Sequence, residues 1–179
     1  MDHGDKYLLQ GCRKGNAIAQ RALYEKYKTA LFRLCLRYAG NREEAEDWLQ
    51  DGFIKAFSDL HQYKGDGALG AWLRRVVLNV ILQHLRRQKL VVIDREVPDG
   101  AYEQDEQTPF PLDAQALTQL LQQLPPGYRT VLNLYILENY SHADIAASLG
   151  ISVNTSKTQL LKAKKMLRKL AASRLVDKT

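Results

Sequence analysis

A chain of 179 residues, 45% of them hydrophobic, has room for one domain or two small ones and enough apolar material for a packed core, which argues against global disorder. Its 26 Lys and Arg against 20 Asp and Glu give a formal net charge of +6, which favours a polyanionic partner without naming it. No apolar run approaches the ~18 residues of a membrane span. The N-terminus has no basic-then-apolar signal pattern. Cys12 and Cys35 match neither a metal-ligand spacing nor a disulfide framework, and His3, His61, His84 and His142 are scattered. A soluble cytoplasmic protein with two buried free thiols, no metal, no cofactor and no membrane insertion is expected.

Taken in order, residues 5–12 read as a short helix with Tyr7, Leu8 and Cys12 inward, broken at Gly15-Asn16. A longer helix follows, with Leu23, Tyr24, Tyr27, Leu31, Leu34, Cys35 and Tyr38 at i, i+3/i+4 steps. Gly40-Asn41 ends it, and Asn41 with Glu44 three residues on is a new helix start. That third helix runs to about residue 60. Its apolar stripe is Ala45, Trp48, Leu49, Phe53, Ala56 and Phe57, and its opposite face carries Glu43, Asp47, Gln50 and Asp51. No histidine accompanies these acids, so catalysis or metal binding has little support. A solvated helix face and a protein-docking face both remain open.

Residues 63–68 form a loop whose two glycines mark special backbone geometry; GxG without a preceding strand is a weak phosphate signal. The spacing then predicts a long helix over residues 69–88, buried along Leu69, Trp72, Leu73, Val76, Val77, Val80, Ile81 and Leu85. Arg75, Asn79, Gln83, Arg86 and Arg87 share another side. Guanidinium and amide groups in a row beside a glycine-containing loop suit a nucleic-acid backbone with unstacked bases. A merely solubilising polar face is the plainer alternative.

Residues 90–111 change character. Asp94, Glu96, Asp99, Glu103, Asp105 and Glu106, interspersed with Pro98, Gly100 and Pro109, read as a flexible acidic linker between two domains, 1–89 and 112–179. Residues 112–124 are helical again, with Leu117, Leu120, Leu121 and Leu124 inward. Pro125-Pro126-Gly127 redirects the chain into a helix over residues 128–138, in which Val131, Leu132, Leu134 and Tyr135 are apolar. No segment alternates with period two, so the fold is expected to be all-α.

The last stretch, residues 141–170, is the most informative. Ser141 with Asp144 three residues later opens a short helix, and Ile145, Ala146 and Leu149 repeat at helical spacing. Gly150 stands where the backbone must turn sharply. Ser152 caps a second helix, expected to bury Val153, Leu160, Ala163, Leu167 and Leu170 and to show Asn154, Lys157, Thr158, Gln159, Lys162, Lys165 and Arg168 on the other side. No acid occurs between Ile145 and Val176. A short helix, a tight turn and a basic second helix make a helix-turn-helix, whose second helix enters the DNA major groove. An ordinary αα-hairpin is the rival, but turn position, caps and one-sided charge agree.

Together these pieces resemble a bacterial sigma factor of the sigma-70 family, of the small extracytoplasmic-function type. The resemblance rests on YEKYKTALFRLCLRYAGNREEAEDWLQDGFIKAF and GALGAWLRRVVLNVILQHLRR in the first half, and on LQQLPPGYRTVLNLYILENYSHADIAASLGISVNTSKTQLLKAKKMLRKL in the second. It implies two helical domains: a region 2 domain and a region 4 domain, the latter a winged-helix-like four-helix module. The AEDWLQDGF helix then docks through Asp47, Gln50 and Asp51 on the clamp helices of the largest polymerase subunit. The loop with Lys64 and Asp66, and the face with Arg75, Asn79, Gln83, Arg86 and Arg87, open the minus-ten promoter element, Asn79 lying near a flipped base.

For the second half, the resemblance implies minus-thirty-five element binding by Ser152, Asn154, Thr155, Lys157, Thr158, Gln159, Lys162, Lys165 and Arg168. It also implies contact with the flap of the second-largest subunit, a linker threading towards the active-site channel, and an anti-sigma factor as a regulatory partner. Asp144-Ile145-Ala146 stands where many relatives have Glu-Ile-Ala, and Asn154-Thr155-Ser156-Lys157 where many have Gly-Thr-Val and a basic residue. Lysine supplies charge without the bidentate fork that reads guanine, so no promoter sequence is carried over. No residues follow Thr179, so no fused sensory module is expected. Two other functions compete: a helix-turn-helix repressor or activator acting apart from polymerase, which leaves residues 42–87 unexplained, and a DNA-acting enzyme such as a recombinase, for which no nucleophile is evident.

Overall fold

The computed structural model describes residues 3–87 and 114–176. The acidic stretch read as a linker lies outside them. The chain divides into two compact units, Met1–His84 and Leu85–Thr179, the break falling in the last turn of a helix. The described residues contain helices and turns and no strand, so no β wing accompanies the helix-turn-helix among them.

The first unit is built from α1 (His3–Arg13), α2 (Ala17–Tyr38), α3 (Arg42–Asp59), a 3-10 turn (Leu60–Gln62) and α4 (Leu69–Arg87). Asn16 starts α2: its side-chain oxygen accepts from the amides of Ile18 at 2.9 Å and Ala19 at 3.1 Å. Asn41 starts α3 by accepting from the Glu44 amide at 2.8 Å, while the Glu44 carboxylate reaches back to the Gly40 amide at 2.6 Å. These bonds satisfy helix-end donors that have no partner within the helix. Leu23, Leu31, Leu34, Cys35 and Tyr38 from α2 pack against Ala45, Trp48, Leu49 and Phe53 from α3, as the spacing predicts. Burial pushes the Cys35 thiol up to about 12, so it acts as a core side chain and not as a nucleophile.

Gly52 is where α3 and α4 meet most closely: a Cβ there would lie 2.9 Å from Val77 Cγ2. Two expectations shift. Tyr7 is 79% exposed, and Leu9 and Asp5 turn inward with Cys12 in its place. In α4, Leu78 and Leu82 join the buried stripe, and Trp72 and Val76 are only half-buried.

The second unit contains α5 (Ala114–Gln122), α6 (Pro126–Ile136), α7 (His142–Leu149) and α8 (Val153–Val176). α8 packs against α5, α6 and α7, and the core is Leu120, Leu124, Val131, Leu134, Ile145, Leu149, Leu160 and Ala163. α6 starts two residues earlier than predicted because Pro126 occupies its first turn, where a missing N–H removes nothing. It ends at Ile136, and Asn139 turns the chain with φ 56°. Arg129, 4% exposed, donates to the Leu124 carbonyl at 2.9 Å and the Gln122 carbonyl at 3.4 Å. It thereby supplies donors to the carbonyls at the end of α5.

Candidate nucleic-acid and protein-docking surfaces

The helix-turn-helix forms as its sequence dictates. Ser141 Oγ accepts from the Asp144 amide at 3.1 Å, and the Asp144 carboxylate accepts from the Ser141 amide at 3.1 Å, a reciprocal capping box. Gly150 takes the left-handed conformation, φ 69°, and its amide donates to the Ala146 carbonyl at 2.9 Å. A side chain at that φ would be strained, which is why glycine serves the turn. Ser152 Oγ accepts from the Thr155 amide at 2.9 Å and starts α8.

The exposed side of α8 differs from the predicted one. Ser152, Asn154, Lys157 and Lys165 are exposed; Thr155, Lys162 and Arg168 are half-buried. Thr158 is 7% and Gln159 1% exposed, so neither stands on the solvent face expected for it. The buried stripe in this part of α8 is Ser156, Gln159, Leu160 and Ala163, an i, i+3, i+4, i+7 set with two polar members. Gln159 lies against α6, its Oε1 3.2 Å from where a Cβ on Gly127 would be. Val153, expected to be buried, is exposed in the first turn, and Leu167 and Leu170 are half-buried.

Ser156 has a specific partner. Its hydroxyl shares a hydrogen bond of 2.9 Å with His142 Nδ1, and the His142 ring stacks on Tyr135 at 4.6 Å. The three residues link α6, α7 and α8. Burial, with Lys157 and Lys164 nearby, holds the His142 imidazole below its ordinary value, so the neutral ring is favoured. Sequence reasoning left His142 unassigned; its position one residue after the cap of α7 was the available signal.

The capping box gives a testable pH dependence. The Ser141 hydroxyl and then its backbone amide hold the Asp144 carboxyl below the usual carboxylate range. A depressed carboxyl contributes stability above its unfolded value of about 3.9, and that contribution fades as pH falls through the folded value. Ser141→Ala is expected to destabilise the C-terminal unit by about 1 kcal/mol at pH 7. The difference from the parent chain should shrink at pH 3, as read by urea denaturation at both pH values.

Lys64 and Asp66 are exposed on the loop, and Arg75, Asn79, Gln83, Arg86 and Arg87 are exposed on α4. Arg75, Asn79 and Gln83 stand at i, i+4, i+8 and form one row. The loop owes its shape to Gly65 and Gly67, with φ 93° and 85°. Asp47, Gln50 and Asp51 are exposed on α3. The Asp51 carboxylate meets His84 Nε2 of α4 at 2.9 Å, and the His84 ring stacks on Trp48 at 5.9 Å. Beside them, Ile54 is 61% exposed at the edge of a groove of about 560 Å³ between α2 and α3, lined by Tyr24, Phe32, Phe53 and Phe57. Ile54 sits just off the predicted apolar stripe, and that off-stripe position was the signal for an exposed apolar contact. The described residues hold no group of three His, Cys, Asp or Glu suited to a metal, and no helix among them is long and apolar enough to cross a membrane.

Two exposed polar faces, one in each helical unit and one of them on a helix-turn-helix, define a two-module DNA-binding protein. The family model for sigma-70 region 2 matches residues 23–91, and that for sigma-70 region 4 matches residues 114–167. The chain is 30% identical to the RNA polymerase sigma-H factor of Pseudomonas aeruginosa, over 92% of this chain and 92% of that protein. It is 28% identical to the ECF RNA polymerase sigma factor SigW of Bacillus subtilis, over 92% of this chain and 95% of that protein. The fold is shared with the sigma factor RpoE of Bartonella quintana, solved in complex with the anti-sigma factor NepR: 22% identity, TM-score 0.50, covering 84% of this chain and 94% of that one. The chain belongs to the sigma-70 family, in its extracytoplasmic-function group, and is a sigma factor that directs promoter-specific transcription.

Proposed function

We propose that the two units divide promoter recognition between them, a region 2 domain over residues 1–89 and a region 4 domain over residues 112–179, joined by residues 90–111. The observation that carries this reading is the exposed row of Arg75, Asn79 and Gln83 beside the exposed Lys64 and Asp66. With Arg86 and Arg87, these groups bind the opened minus-ten strand: arginines face phosphates, and Asn79 offers a donor and an acceptor to an unstacked base edge. Capture of the open strand offsets lost stacking. The chain needs no nucleotide, metal or catalytic residue for this and acts in the cytoplasm as a non-enzymatic subunit.

In the second unit, Ser152, Asn154, Thr155, Lys157, Lys162, Lys165 and Arg168 meet the minus-thirty-five element. Thr158 and Gln159 act from inside, by seating α8. Asp47, Gln50 and Asp51, with the neighbouring Ile54, form the docking face for the clamp helices of core polymerase, and the second unit meets the flap. An anti-sigma factor is the regulatory partner, in line with the relative solved with one. A repressor acting apart from polymerase leaves the region 2 match over residues 23–91 without a role.

Run-off transcription with core polymerase tests the reading: a promoter-dependent transcript requires this chain. DNA binding without association to core would overturn it. Within the second unit, Lys157→Ala is expected to reduce the slope of log K against log salt by about 0.9, the loss of one phosphate contact. Gln159→Met is expected to leave that slope unchanged.

A further inference from the structure

The region 2 match starts at residue 23, yet α1 lies wholly before it. Two side chains of α1 nevertheless connect to the 63–68 loop, Arg13 directly at its start and Asp5 by way of α2. Arg13, the last residue of α1, donates from its guanidinium to the Leu60 carbonyl at 3.4 Å and to the Tyr63 carbonyl. Asp5, 7% exposed, accepts from Lys26 Nζ at 2.7 Å and from the Tyr27 hydroxyl at 3.0 Å.

Tyr27 passes this anchorage on. Its ring covers Gly70 in the first turn of α4, where a Cβ would lie 2.9 Å from Tyr27 Cε1. Tyr63 closes the circuit from within: it is buried, its hydroxyl donates to the Gly67 carbonyl at 2.8 Å, and its ring packs on Trp72 at 5.5 Å. The loop is therefore held before its first exposed residue by Arg13 and after its last by Asp5 acting through Tyr27. A segment with two glycines at positive φ loses much conformational freedom when it is fixed, so anchors at both ends decide how well its shape is kept.

We propose that Arg13 and Asp5 are positioning residues for promoter opening: α1 presets the loop that carries Lys64 and Asp66. This rests on the reading that the loop and the α4 face bind the opened minus-ten strand. Neither residue touches DNA in this account; each acts through the backbone or ring it holds.

The test uses the full chain with core polymerase and a promoter carrying a fluorescent base analogue in the minus-ten element. Arg13→Ala is expected to slow opening about tenfold, by loss of a charged donor shared between two carbonyls. It should also raise amide exchange at residues 64–68, with core association and duplex minus-thirty-five binding unchanged. Arg13→Lys, one donor group instead of a fork, should fall between. Asp5→Asn should slow opening in the same direction. Normal opening by Arg13→Ala and Asp5→Asn, with Asn79→Ala slow, overturns the proposal and leaves the minus-ten reading standing. Normal opening by Asn79→Ala as well removes that reading and the proposal with it. A loss of core association matching the loss of opening would show a general structural role and refute positioning. If Arg13→Ala does not fold, Arg13→Lys and the exchange measurement decide.

Discussion

Asn79→Ala is expected to slow promoter opening by about 5- to 150-fold, the range set by losing one base contact worth ~1–3 kcal/mol. Duplex binding to the minus-thirty-five element should stay within about twofold. The reason is placement. Asn79 is exposed in the middle of the α4 row, whereas α8 is seated by α5, α6 and α7 of its own unit. Arg86→Ala should act in the same direction. Permanganate reactivity of minus-ten thymines, measured beside a mobility-shift assay on the upstream element, separates the two steps. Equal losses in both assays would refute the division of labour between the units.

Gly52→Leu is expected to destabilise the first unit by about 3 kcal/mol, the upper end for overpacking a core. The first added atom already lies 2.9 Å from Val77 Cγ2. Val77 cannot swing away, because a β-branched side chain in a helix is confined to one rotamer. α3 must then move from α4, and the contacts of Asp51 and Trp48 with His84 go with it. Thermal unfolding of the first unit should fall by roughly 12–24 °C. Duplex binding by the second unit should be retained, because its core is built from its own helices α5 to α8. An unchanged melting temperature would show that the helix pair yields more readily than the geometry implies.

Helix starts were the most legible feature of the sequence. Asn41 with Glu44, Ser141 with Asp144, and Ser152 each cap a helix by a local hydrogen bond between residues three apart, which requires nothing from the rest of the chain. Stripes of purely apolar residues were legible for a similar reason. In α3 the predicted Ala45, Trp48, Leu49, Phe53 and Ala56 are buried, because helical period and hydrophobicity point the same way, and Phe57, the last of the predicted stripe, is half-buried. The exposed row of Arg75, Asn79 and Gln83 follows from the same phase.

The misassigned residues share one cause: the burial of a polar side chain depends on what it meets. Thr158 and Gln159 read as surface because they are polar. Gln159 is inside because Gly127, far off in sequence, leaves room for its amide. Ser156 is inside with His142 to bond to. Asp5 is inside because Lys26 and Tyr27 meet its carboxylate. Tyr7, large and partly apolar, stays outside because Leu9 and Cys12 already occupy the inward positions of α1.

By itself, the sequence determined the helices, their caps, the helix-turn-helix and the exposed row of guanidinium and amide groups on α4, all consequences of local bonds and of one period. Only the tertiary structure decided which side of α8 is exposed, that Asp51 is tied to His84, and that α1 holds the loop before α4. Those outcomes are set by pairs distant in the chain, Gly127 with Gln159, Asp51 with His84 and Arg13 with Tyr63, whose meeting no local pattern encodes.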